Sequence, residues 1–344
     1  MRHDENVRLG PLTTLGVGGP ARRLVVAERE EDIVAVVRDC DGRGEPLLVL
    51  GGGSNLLVGD GGWDGTVLRI ASRGRTVSPD GVVTAAAGEP WDDFVGACVE
   101  DGLSGVEALS GIPGLVGAVP MQNVGAYGQD VSETIVSVRA WDRATSRIVD
   151  IERASCGFAY RSSAFRGKDR HVILGVTFTL ERSELGRPVR YAELARGLDV
   201  AEGARAPLAR VRETILALRR KKGMVVDDGD PDTRSAGSFF TNPILDANDE
   251  AGLARLGEVP RFPEPDGRIK VSAAWLIERA GFAKGFTLDG HAAVSSKHAL
   301  ALVNRSGQAT SSSLLSLART IRDGVRDRFG VTLENEPVIV GAAL

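Results

Sequence analysis

The sequence holds few of the residues that make disulfides, metal centres or membrane spans. Its 344 residues include three cysteines, Cys40, Cys98 and Cys156, odd in number and far apart. That spacing fits neither a disulfide framework nor a zinc site, and the four histidines are scattered. A reduced, cytoplasmic, metal-free protein is expected. No apolar run approaches the roughly 18 residues of a membrane span. The first residues, MRHDENVRLGPL, are polar and carry no signal-peptide core. Basic residues are not in excess, since the net charge is −4. Nothing therefore points to nucleic acid or to an anionic membrane as partner. Internal repeats, low-complexity tracts and the Gly-Lys-Ser/Thr of a P-loop are also missing.

What is abundant is glycine, at 43 residues, which points to many close backbone approaches. With 42% apolar and 26% charged residues, the chain has an ordinary globular composition and the length for two or more domains. Its first third alternates strands (22–28, 46–50, 66–70, 82–88) with helices near 28–40 and 90–102. The second helix has Pro90 near its start and Gly102 past its end. Residues 102–128 break the pattern with seven glycines and two prolines. A long irregular stretch in a compact domain is usually functional or disordered, and this one is too apolar for disorder. It reads as a ligand-lining segment. Antiparallel strands follow (134–141, 147–152, 171–181), so the class is mixed α+β.

A second region is expected from about residue 183. Its helices are PLARVRETILALRRKKG, with Leu208, Val211, Ile215 and Leu218 on one stripe, then VSAAWLIERAG and SSSLLSLARTIRDGVRDRFG. The chain should finish on a strand, VTLENEPVIV (331–340).

Two glycine motifs raise the question of a nucleotide. GVGGPA (16–21) matches G-x-G-x-x-A, but no apolar strand precedes it and Pro20 interrupts it. In LLVLGGGSNLLVGDGG (47–62) a buried strand does run into three glycines. Gly59, however, arrives too soon for the helix that would hold a pyrophosphate. Two readings stay open for this turn. It is a simple hairpin, or the bare amides of Gly51, Gly52 and Gly53 join Ser54 and Asn55 in an anion-binding nest. If the turn and SGIPGLVGAVPMQNVGAYG (110–128) converge, they suit one large, flat, phosphate-bearing cofactor. A third stretch, AGSFFTNP (236–243), places Ser238 between a flexible glycine and two apolar rings. A buried hydroxyl needs a partner or a task.

The ordered set LGGGSNLL, SGIPGLVGAVPMQNVGAYG, FAYRSSAF, AGSFFTNP and LENEPVIVG resembles the UDP-N-acetylenolpyruvoylglucosamine reductases, the MurB-type flavoenzymes. The similarity runs from about residue 12 to 341. It implies a vanillyl-alcohol-oxidase or p-cresol-methylhydroxylase (VAO/PCMH) type FAD-binding domain of two α+β subdomains, with a smaller α+β substrate domain. The implied boundaries are an N-terminal arm (1–16), the FAD domain (17–182) and the substrate domain (183–344), whose last strand returns toward the flavin. FAD would be bound non-covalently, since neither glycine segment holds a histidine or cysteine. Its implied contacts are Gly51, Gly52, Gly53, Ser54 and Asn55, then Ser110, Gly111, Ile112, Pro113, Gly114, Gly117, Ala118, Gln122, Asn123, Gly125, Ala126 and Tyr127. The resemblance also implies NADPH as co-substrate and a UDP-sugar as substrate, with the protein expected to be a monomer. RYAEL around Tyr191 resembles the family's mobile tyrosine loop, and Lys222 its substrate-binding lysine.

The chemistry so implied assigns roles. Hydride addition to an enolpyruvyl ether builds negative charge on the carbon beside a carboxylate. Arg161 has the fork of donors to bind that carboxylate. Ser238, walled by Phe239 and Phe240, is the expected general acid. Glu334 and Glu336 lie two apart, on one face of the expected strand. Glu336 takes the second glutamate of the family's L-E-x-E pattern and is expected to be protonated beside a dianion. Pro337 follows it, where the family carries an aliphatic residue. The diphosphate is left to Tyr191, Lys222 and Asn242, with Lys297 and His298 as further neighbours. Two rivals remain: a peroxide-forming FAD oxidase of the same fold, and a nucleotide-sugar binding protein without redox chemistry.

Overall fold

A computed structural model describes residues 1–247, 250–264 and 266–344. The chain forms two compact units. The first is Met1–Val7, Ala21–Gly53 and Trp63–Lys221; the second is Arg8–Pro20, Ser54–Gly62 and Lys222–Leu344. The compact units thus divide elsewhere than at residue 183, because 183–221 pack with the first.

The first unit has a sheet of Arg2–Arg8, Pro20–Ala27, Trp63–Ile70 and Leu47–Leu50, in that order. Ala21–Ala27 and Leu47–Leu50 both run parallel to Trp63–Ile70. Helix α1 (Glu30–Arg43) precedes Leu47–Leu50; Glu30, Glu31 and Asp32 sit at its positive end, and Gly44 closes it at φ 61°. A second sheet is antiparallel, ordered Arg147–Glu152, Ile135–Asp142, His171–Thr179, Val82–Ala86 and Arg75–Val77. Helix α2 (Trp91–Glu100) starts at the Pro90 cap and buries Trp91 and Phe94. These rings meet Phe178 at centroid distances of 6.1 and 5.0 Å. A smaller core joins α3 (Ala192–Leu198) and α4 (Leu208–Lys221) through Leu194, Leu198, Val211 and Ile215. Within the expected N-terminal arm, Arg2–Arg8 is an edge strand.

The second unit pairs Ser235–Ser238 and Ala292–Val294 with a central strand, Ala301–Asn304. Among the described residues its α-helices are α5 (Glu250–Arg255), α6 (Ala273–Arg279) and α7 (Ser311–Phe329). Its core includes Phe239, Phe240, Leu276, Ile277, Leu314, Leu317 and Ile321. Thr310 and Ser313 form a capping box on α7, and Asp60 accepts hydrogen bonds from the amides of Ser311 and Ser312 at 2.8 and 2.9 Å. The final strand is shorter than expected, Val338–Val340, and lies parallel to Leu56–Val58. Pro337 has no N–H to offer a ladder, and Asn335 turns its Nδ2 onto the Pro337 carbonyl at 2.8 Å. The strands on either side of GGGSN therefore pair with different strands, which removes the hairpin reading. Among the described residues no helix is long and apolar enough to cross a membrane.

Candidate active site

In the first unit the two glycine segments do converge. A Cβ on Gly52 would lie 2.8 Å from the Gly114 Cα, and one on Gly51 would touch Leu115 and Ala118 at 3.6 and 4.0 Å. The second segment is laid along residues 87–91. The Trp91 amide donates to the Gly114 carbonyl, the Val116 amide to that of Glu89 and the Gly117 amide to that of Ala87, at 2.9–3.0 Å. Several groups are committed internally. The Ser110 hydroxyl donates to the Glu107 carbonyl at 2.7 Å, and the Gly111 amide to Asp92 Oδ1 at 2.6 Å. Asn123 donates to the Ala159 carbonyl at 3.2 Å and accepts from the Ser132 amide at 3.1 Å. The Ser110 hydroxyl and the Asn123 side chain are thus both engaged within the protein.

Asn123 also links the segment to the loop of Arg161. Asn123, Tyr127 and Arg161 all hold positive φ, at 45°, 50° and 50°, an uncommon state for side-chain-bearing residues that concentrates at ligand sites. Arg161 Nη2 donates to the Gly125 carbonyl at 2.6 Å, and its guanidinium lies 5.5 Å from the Tyr160 ring. Gln129 closes the segment, with Oε1 accepting from the Ala108 amide at 3.0 Å and Nε2 donating to the buried Glu107 at 3.1 Å. Tyr191 stands at the start of α3, half-exposed, with its ring edge-on to Tyr127 at 5.4 Å. Burial pushes the Tyr127 phenol up to about 12.

In the second unit the backbone brings Phe239, the residue after Ser238, opposite Glu336. Phe239 donates to the Leu300 carbonyl at 2.7 Å, and its own carbonyl accepts from the Glu336 amide at 2.8 Å. The Thr241 amide donates to the Glu334 carbonyl at 3.0 Å. Asn55 joins this ladder: its carbonyl accepts from the Val338 amide at 3.0 Å, and its Nδ2 donates to the Glu336 carbonyl at 3.4 Å. Gly237 sits at φ 72°, so the chain turns there before the rings. Phe239 and Phe240 are fully buried and meet edge to face at 5.1 Å. Ser238 is half-buried, and among the described residues its hydroxyl has no hydrogen-bond partner. Glu334 and Glu336 lie ahead of the final strand, with Asn335 between them in an isolated bridge to Phe240. The backbone from 331 to 337 is irregular; Glu334 is exposed and Glu336 half-buried.

The diphosphate candidates differ in how they are held. Lys222 is half-buried beside Gly223, whose φ is 65°. Asn242 Oδ1 accepts from the Ala273 amide at 3.0 Å, so its amide nitrogen is the group left to meet an anion. Lys297 pairs with Asp230 at 2.5 Å, and His298 Nδ1 accepts from the Leu300 amide at 3.1 Å. That bond places the ring proton of a neutral His298 on Nε2.

A FAD-binding-domain model matches residues 21–152, and the C-terminal-domain model of UDP-N-acetylenolpyruvoylglucosamine reductase matches 230–340. Over 351 residues the chain is 56% identical to UDP-N-acetylenolpyruvoylglucosamine reductase from Thermobifida fusca, covering 98% of each chain. The chain belongs to the UDP-N-acetylenolpyruvoylglucosamine reductase family. A reductase from Salinispora arenicola is 53% identical, with 99% of this chain and 96% of the relative covered. The crystal structure of the MurB reductase from Thermus caldophilus superposes with a TM-score of 0.69 at 27% identity, over 99% of each chain. The expected α+β class and flavin-enzyme family hold.

FAD is the cofactor of this family, and the residues fit it. Residues 51–55 and 110–128 contain no charged side chain, and the Gly52–Gly114 approach leaves no room for a Cβ. Such a cradle offers main-chain donors to a diphosphate and apolar walls to a ring system. Sequence reasoning missed Asp92, Glu107, Gln129 and Arg212 in the first unit, which hold residues 108–111 and one another, and Asp60 in the second, which caps α7. Asp92, Glu107 and Asp60 are acidic residues in a helix's first turn or a loop, too common to be flagged, and Gln129 and Arg212 carry no motif.

Proposed function

We propose that the protein reduces UDP-N-acetyl-3-O-(1-carboxyvinyl)-glucosamine to UDP-N-acetylmuramate with NADPH, as a cytoplasmic monomer supplying peptidoglycan precursors. The observation that carries this reading is the identity with reductases across nearly the whole chain. FAD, when bound, relays a hydride from NADPH to the terminal alkene carbon. Gly51–Gly53, Ser54 and Asn55, with the backbone of Ser110–Gly114 and Gly125–Tyr127, would hold it. Ile112, Ala118 and Gln122 lie in the same segment.

The protein's own groups handle the substrate. Arg161 binds the carboxylate, with one of its five N–H donors fixed on Gly125. Ser238 donates the proton to the carbon beside the carboxylate. Among the described residues its hydroxyl meets no acceptor, and the buried Phe239 and Phe240 beside it would limit water. Glu336, bonded through its amide to Phe239, is held in the ladder next to Ser238 and acts as a second proton-bearing group. Tyr191, Lys222 and the Asn242 amide bind the diphosphate as donors, the polarity an anion requires.

The test is turnover. Purified yellow protein given NADPH and the enolpyruvyl ether should consume both and yield the reduced lactyl ether, identified by mass. NADPH oxidation that ignores the ether and accumulates peroxide would favour the oxidase instead.

A further inference from the structure

Asp92 is the second residue of α2, and its carboxylate is a joint between three segments. Oδ1 accepts from the Gly111 amide at 2.6 Å and from Arg212 Nη1 at 2.6 Å; Oδ2 accepts from Arg212 Nη2 at 3.0 Å. The Arg212 contact is the bidentate fork that gives charged pairs both strength and direction. Gly96, one turn along α2, makes room for it, since a Cβ there would lie 3.3 Å from Arg212 Nη2. Gly111 itself holds φ 71° and follows Ser110, whose hydroxyl is already tied to Glu107. Three residues on, Gly114 is the backbone against which Gly52 rests.

We propose that Asp92, fixed by Arg212, is a positioning residue for FAD: it holds the Gly111 peptide and so sets the course of Ser110–Gly114 against Gly52. This rests on reading those segments as the FAD cradle. Both the Gly111 amide and the Arg212 guanidinium are donors, so the joint needs an acceptor on each oxygen. Asparagine keeps the shape but sets an NH₂ against one of the two donors.

The natural control lies in the same unit. Asp142 and Arg170 form another bidentate pair, at 2.9 and 2.8 Å, in neither glycine segment. Holoenzymes of the wild type, Asp92→Asn, Arg212→Gln, the double variant and Asp142→Asn are diluted serially, and fluorescence of released FAD gives each Kd. Asp92→Asn and Arg212→Gln should each weaken binding about ten- to a hundredfold. The double variant should be no worse than the weaker single, since both break one joint. Asp142→Asn should bind FAD as the wild type does, although its Tm falls. If Asp92→Asn fails to fold, Arg212→Gln carries the same expectation. Wild-type Kd in the Asp92 and Arg212 variants, with Tm lowered as in Asp142→Asn, overturns the positioning role. A wild type that binds no flavin overturns the cradle reading, and the proposal with it.

Discussion

Gly52 in the first unit and Ser238 in the second are both placed by a segment far away in sequence, but by different means. Gly52 meets Gly114 backbone to backbone, and the Gly114 segment is held from behind by Asp92, Glu107 and Gln129. Ser238 adjoins a main-chain ladder from Leu300 through Phe239 to Glu336, closed by Asn55. On the proposed reading the first arrangement would offer main chain to its ligand and depend on what is absent, a Cβ; the second would offer side chains and depend on a braced backbone. Substitutions should therefore act oppositely: adding atoms harms the first, and removing them harms the second.

Gly62→Ala tests whether close backbone approach also matters in the second unit. Its Cβ would sit 1.9 Å from the Pro20 carbonyl oxygen, at φ 76°. The expected loss is at least about 3 kcal/mol, read as a lower urea midpoint for the apo and holo protein alike. A near-normal midpoint would mean that the Gly62–Pro20 approach relaxes at little cost and that added atoms harm the first unit more than the second.

Gly52→Ala should cost less in folding and more in cofactor. Overpacking against Gly114 is worth about 1–3 kcal/mol, or about ten- to a hundredfold in FAD affinity. Flavin fluorescence on dilution reads it directly. Unchanged FAD affinity would remove Gly52 from the cradle.

Asp60 offers a smaller, pH-dependent test of the bracing. Burial alone would raise its pKa, but the hydroxyl and amide of Ser312 and the amide of Ser311 outweigh burial and hold it below the usual carboxylate range. A depressed folded value means this stabilisation is full above the unfolded pKa and is lost as pH falls through the folded one. Asp60→Asn should cost about 1 kcal/mol at neutral pH and flatten the acid limb of the stability curve. An unaltered acid limb would show that Asp60 does not brace α7.

The smallest effect belongs to the thiols. Burial pushes Cys98 up to about 12 and Cys156 up to about 11. Thiol reagents at neutral pH should leave the folded protein unlabelled and its activity intact. Rapid labelling would mean that these cores open.

How much of this was legible in the sequence varies by residue. Glycines at 51–53 and 114 announce close approach because few other residues tolerate it, and the structure places Gly52 against Gly114. The stripe Leu208–Val211–Ile215 announced a buried helix face but not which core it joins; α4 packs with α3 in the first unit. The last strand was overextended because alternation from 331 to 340 reads as β, whereas Pro337 and the Asn335 turn interrupt the ladder. Asp92 and Arg212 were illegible, since their pairing spans 120 positions. Around Ser238 the sequence showed a glycine that turns the chain, at φ 72°, and two rings that are buried.

Ser238→Ala tests the central claim, that this hydroxyl delivers a proton and does not merely finish a turn. Stopped-flow absorbance follows each half-reaction separately. Flavin reduction by NADPH needs no proton from Ser238 and should run near the wild-type rate. Oxidation by the enolpyruvyl ether should slow by at least about 10²-fold, and Ser238→Cys, which still carries a proton, should recover part of it. An alanine variant that turns over the ether at the wild-type rate would contradict the account.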